Sequence, residues 1–164
     1  TDRAALLADA RARATVYGEF INSLAQAGPA VVVLTVPELG LTPFARKENT
    51  DTGDATRSTL LSQLTDAFNS RMSVTLINDG RLIGLVFIDI ETQNMFRFPG
   101  SFALTNVLDA ACQSTAVLPD CRTNTLVTGA TATNYMWADG ILPGPTVQSR
   151  MGSLAEFRAK NNPF

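Results

Sequence analysis

The chain has 164 residues, 45% of them hydrophobic and 17% charged, with a net charge of −2 and a pI near 5.0. That length and balance fit one folded domain with a sizeable core and exclude a disordered chain. No Lys/Arg cluster supplies a nucleic-acid footprint, and no apolar run reaches the roughly 20 residues a bilayer-crossing helix needs.

The chain opens on Thr1-Asp2-Arg3, without an initiator Met or a signal-peptide pattern, and reads as a processed product or a fragment. Thr1 or Asp2 can cap a first helix. Along it Leu7, Ala10, Ala14, Tyr17, Ile21 and Leu24 recur at three- and four-residue steps, with Phe20 beside them, until Gly28-Pro29 stops the run. Residues 30–37 are β-branched and apolar throughout, as a strand buried on both faces should be. Residues 38–56 are polar and punctuated by Gly40, Pro43 and Gly53, and read as loop. A second helix is predicted over 56–76, with Leu60, Leu61, Leu64, Phe68 and Met72 on one face, ended by Asn78-Asp79-Gly80. A second strand is predicted over 82–90, then a short helix or turn over 91–98 ended by Pro99-Gly100. Residues 101–134 are rich in Thr, Ala and Asn, show little periodicity, and read as a long excursion. A last helix is predicted over 147–160, carrying Val147, Met151 and Leu154. The helix–strand alternation predicts part of a parallel α/β sheet. Two strands are too few to complete a doubly wound one, so further strands must come from other polypeptide or from a second copy.

Cys112 and Cys121 are the only cysteines. With no histidine in the chain, two thiols are too few for a zinc site. They are either a disulfide or two free thiols, and the loop between them favours the disulfide, which points to an oxidising compartment. No other feature calls for a metal or cofactor.

The missing histidine also rules out a Ser-His-Asp triad, or any histidine base, within this chain. A Ser-Lys dyad would need Lys47, in the charged stretch, or Lys160, near the end. Neither is placed to lose its proton. Among the acids, Asp139 stands out. It comes after Tyr135-Met136-Trp137-Ala138 and precedes the turn Gly140-Ile141-Leu142-Pro143-Gly144-Pro145 and the last helix. A turn or cap is the plain reading of such an Asp; orienting an imidazole is the functional one. Asp89 reads as the end of the second strand, where ligands gather in open α/β sheets. Glu38 leaves the first strand in Pro37-Glu38-Leu39-Gly40. The plain readings come first for both: Asp89 as a cap of the next short helix, Glu38 as a solvated loop acid.

Two blocks carry a resemblance. Val31-Val32-Val33-Leu34-Thr35-Val36-Pro37-Glu38-Leu39-Gly40-Leu41-Thr42-Pro43 resembles the strand and turn of secreted bacterial GDSL-type lipases and esterases, the SGNH hydrolases. Tyr135-Met136-Trp137-Ala138-Asp139-Gly140-Ile141-Leu142-Pro143, with Gln148 after it, resembles that family's last block, which usually reads aromatic-x-x-Asp-x-x-His-Pro-Thr. The second strand, Thr105-Asn106-Val107 and the cysteine loop fall in the same order, so the likeness covers nearly the whole chain.

The resemblance implies a flavodoxin-like, three-layer α/β/α parallel sheet that hydrolyses carboxylic esters without a cofactor, secreted, periplasmic or at the cell surface. The chain would be a single domain over 1–164, or the C-terminal part of one. By position Asp139 matches the triad acid, and Leu142 stands where the family has its histidine. Trp137 and Ile141 would line the pocket for an ester or acyl-lipid substrate. The nucleophilic Ser and the oxyanion Gly and Asn would lie in a missing N-terminal half. Leu142 cannot carry a proton, so the chain alone is expected to be inactive. The alternative is a catalytically inactive binding or structural module on the same fold.

Overall fold

A computed structural model describes residues 2–77, 80–116 and 118–161. It is a mixed α/β chain with five helices and two pairs of short parallel strands among these residues.

Helix α1 spans Arg3–Gln26. Asp2 caps it, its Oδ1 accepting the Ala4 N–H at 2.9 Å, and Gly28, at a φ of 115°, turns the chain out of it. Thr1 lies outside the described residues. The buried face is formed by Ala14, Gly18, Ile21 and Ala25, while Tyr17, Phe20 and Leu24, expected inside, are 41%, 62% and 41% exposed. Small residues win that face because the next long helix lies close: a Cβ on Gly18 would stand 2.8 Å from Thr75.

Strand β1 (Val31–Leu34) is shorter than expected and only partly covered. The segment expected to be loop is instead largely helical. A 3-10 turn over Leu39–Leu41 leads into α2, Pro43–Thr52. The start signal is local: the Thr42 hydroxyl accepts the Ala45 N–H at 3.1 Å, Pro43 sits in the first turn, and Gly53 closes the helix at a φ of 66°. Helix α3 (Arg57–Thr75) falls where predicted. Of its expected terminator, Asn78 and Asp79 lie outside the described residues. Asn69 on α3 is buried and clamps the exit from β1, its side chain exchanging two hydrogen bonds of 2.9 Å with the backbone of Val36.

Strand β2 (Ile83–Val86) pairs parallel with β1, Val31 opposite Ile83 and Leu34 opposite Val86. All four residues of β2 are buried. The strand ends four residues earlier than predicted, because helix α4 begins at Ile88 and runs to Arg97. Its first turn is held from a distance: the buried Thr35 hydroxyl accepts the Ile88 N–H at 2.7 Å and donates to Asp89 Oδ1 at 2.6 Å.

The long excursion contains strand β3 (Asn106–Ala110), which pairs parallel with β4 (Tyr135–Trp137) as a separate two-stranded sheet. Helix α5, Pro145–Asn161, packs on β4 and on both strands of the first sheet. One core cluster joins α1 and α3 to β1 and β2 through Ile21, Met72, Val33 and Ile83; a second joins α4, β4 and α5 through Met95, Met136, Trp137 and Val147. Among the described residues no helix is long and apolar enough to cross a membrane.

Candidate functional site

Strand β4 leads into the site from the core. Met136 and Trp137 are 0% exposed, and the Trp137 indole N–H donates to the Val107 carbonyl at 3.0 Å, which satisfies its one polar atom inside the core. Just beyond, the chain reverses in a tight turn. The backbone N–H groups of Ile141 and Leu142 donate to Asp139 Oδ1 at 2.8 and 2.7 Å, and the Ala138 N–H donates to the Leu142 carbonyl at 2.8 Å. Gly144 then passes so close to β4 that a Cβ there would meet the Tyr135 carbonyl at 2.7 Å. The turn reading of Asp139 is therefore realised, on the carboxylate oxygen Oδ1.

Two other elements meet this turn. Pro43 has no N–H, so the first backbone N–H of α2 is that of Phe44; it has no acceptor within its own helix and donates to the Gly140 carbonyl at 2.8 Å, docking the α2 N-terminus on the turn. On the far side the Cys112 N–H donates to the Ala138 carbonyl at 2.9 Å, and Cys112 is bonded to Cys121, with their Cα atoms 5.7 Å apart. The disulfide closes the loop that faces α2.

Between them runs a groove of about 650 Å³. One wall is Asp139, Gly140, Ile141 and Leu142; another is Pro43, Phe44 and Lys47 of α2; the third is Ala110, Cys112 and the loop residues Gln113, Ser114, Ala116 and Leu118. Phe44, Ile141 and Leu142 are 41%, 50% and 48% exposed, a concentration of large apolar side chains around one opening. A smaller cavity of about 290 Å³ lies behind, sharing Cys112 and Leu118 as the partition.

Asp139, Leu142 and Ile141 thus share one wall, whereas Trp137 lies behind it in the core and does not line the groove. Asp89 is elsewhere. It sits in the first turn of α4, beside a separate cavity of about 360 Å³ bordered by Thr35, Asn69 and Phe87, so Asp89 and Asp139 form no acid/base pair. Glu38 is 4% exposed and is spent on structure: it accepts the Gly40 N–H at 3.1 Å and the Gln93 side-chain amide at 3.3 Å. Lys47 reaches the groove, but its ion pair with Asp51 raises its pKa and keeps it an ammonium, and Lys160 is paired with Glu156. Lys47 is therefore no neutral base. Phe44 and Leu118 escaped the sequence reading; the Thr42-Pro43 helix start could have revealed the first, and nothing local marks the second.

Chemically, the described residues offer a largely apolar groove with one carboxylate, Asp139, and one ammonium, Lys47, on its walls. Among the described residues no group of three or more His, Cys, Asp or Glu side chains is placed to hold a metal ion. No protein-family model matches the chain, and no curated protein matches it either.

Proposed function

We propose that the chain forms the acid-bearing part of an SGNH-type ester hydrolase, a flavodoxin-like three-layer α/β/α fold working outside the cytoplasm. Its groove receives the apolar part of an ester or acyl lipid without hydrolysing it. One observation carries the reading: Asp139 and Leu142, the family's acid position and its histidine position, share the wall of the same apolar groove. The disulfide and the lack of a membrane-crossing helix among the described residues are compatible with an extracellular setting. With leucine at position 142 the proton carrier of the triad is gone, and the residual rate of a triad lacking a member is what binding and oxyanion donors alone supply. That substitution also favours the second reading, an inactive binding module on the same fold.

The test separates binding from turnover. Titrating the chain with butyl butyrate while recording amide NMR spectra is expected to shift the signals of Phe44, Ile141 and Leu142, and Leu142→Asp is expected to weaken that response at least tenfold. p-Nitrophenyl butyrate is expected to be hydrolysed no faster than in buffer, with no serine of the chain labelled by a fluorophosphonate. Saturable turnover with a labelled serine overturns the loss of catalysis, and an ester that shifts no groove amide overturns the binding site.

A further inference from the structure

The groove beside Asp139 has a second space behind it. Side chains alternate across a strand and its exit, so neighbouring residues face opposite ways. Ala110 and Asp139 line the groove, while Ala111 and Ala138 line the cavity of about 290 Å³ at its rear. The floor between the two spaces is backbone: the Ala111 and Cys112 N–H groups donate to the Trp137 and Ala138 carbonyls, both at 2.9 Å. Ala111, Cys112 and Ala138 are all buried, so the floor is fixed. Among the described residues only Cys112 and Leu118 line both spaces. Cys112 is held by its backbone bond and by the disulfide. Leu118 is a half-buried side chain on the loop that the disulfide closes. A rotamer change at Leu118 is therefore the smallest movement that joins the groove to the rear cavity.

We infer that Leu118 sets acyl-chain length: the tail of a medium- or long-chain ester turns it aside and ends in the rear cavity, where a short chain never reaches. The inner lining of that cavity suits a hydrocarbon, with Leu118 and Leu126 beside the two buried alanines. Its polar residues, Arg122 and Thr131 among them, are exposed and belong to the outer rim. Apolar cavity surface holds water poorly and takes apolar guests. At roughly 30 Å³ for a group the size of a water molecule, the rear cavity has room for several methylenes. Each methylene removed from water strengthens binding about fourfold. Two or more beyond Leu118 thus separate a long ester from a short one by about tenfold. The inference rests on the ester-binding reading of the groove and adds to it the class of ester preferred.

The test is a pair of amide NMR titrations, with methyl butanoate and with methyl decanoate. The butanoate is expected to shift Phe44 and Ile141 alone. The decanoate is expected to shift these and also Leu126 and Ala132, and to bind tighter by about tenfold or more. Leu118→Trp thickens the partition, and Ala132→Trp fills the rear cavity from its exposed rim. Each is expected to bring the affinity ratio of the two esters below about threefold, with thermal melting confirming that the variant is folded. Decanoate shifts confined to the groove amides overturn the inference, and so does an affinity ratio that survives both substitutions. Either result, with the butanoate still shifting Phe44 and Ile141, leaves the groove reading intact. Esters that shift neither Phe44 nor Ile141 overturn the groove reading and this inference with it.

Discussion

Replacing Asp139 separates a turn-forming carboxylate from one kept for chemistry alone. Its Oδ1 accepts two backbone N–H groups, from Ile141 at 2.8 Å and Leu142 at 2.7 Å. Each such bond contributes about 0.5–1.5 kcal/mol net, more where the acceptor is charged. Water reaches this turn, because Ile141 and Leu142 are half exposed, and it compensates part of the loss. Asp139→Ala is therefore expected to cost about 1–2 kcal/mol of folding stability. Asp139→Asn keeps a carbonyl oxygen in the accepting place and is expected to cost less than about 0.5 kcal/mol. The two variants also separate at the groove. Alanine frees the turn that presents Ile141 and Leu142, and butyl butyrate binding is expected to weaken several-fold; asparagine should leave it within twofold. Urea unfolding monitored by circular dichroism gives the stabilities if the transition is two-state. An alanine variant as stable as the parent refutes the turn-forming role. An asparagine variant as damaged as alanine refutes the geometric argument, and shows that charge rather than an acceptor at this place is what counts.

The packing around the site sets two further outcomes. Gly40 stands where a Cβ would lie 2.0 Å from Ser62 Oγ and 2.6 Å from the Ser58 carbonyl, so Gly40→Ala is expected to lose about 2–3 kcal/mol in urea unfolding. Adding Ser62→Ala should recover only part of it, since the backbone oxygen remains; full recovery would show that the helix α3 backbone yields. Reduction of Cys112–Cys121, nine residues apart, is expected to cost about 2–3 kcal/mol from the freed loop, measured as a lower urea midpoint with reductant. An unchanged midpoint would show that the loop is held without the bond.

Helices α1, α3 and α5 and the cores of β1 and β2 were legible because each is long or continuously apolar and bounded by caps, glycine or proline. Helix α2 was not read, although Thr42, Pro43 and Gly53 mark both its ends. Its interior is polar, and Ala45 is its only buried residue, so the apolar period that signals a helix is absent. Strands β3 and β4, of five and three residues, are too short for any period to show. The misplaced end of β2 has a non-local cause. The hydroxyl that starts α4 belongs to Thr35, 53 residues before the Ile88 N–H it accepts.

What the sequence by itself determined about the site was its chemistry: an acid at 139, a leucine at 142, no histidine, and a cysteine pair near enough to close a loop. Residue identity decides proton capacity and covalent reach, and no packing can change either. Which of these groups meet was decided only by tertiary structure. Asp139 and Leu142 line the same groove as Phe44, on adjoining walls, because the orphan N–H of α2 needs an acceptor and Gly140 offers one. Trp137 turns inward because its indole N–H finds the Val107 carbonyl inside the core. The apolar flank of α1 stays outside because the close approach at Gly18 gives α3 the other side. Such contacts depend on partners dozens of residues away, and a local pattern carries no record of them.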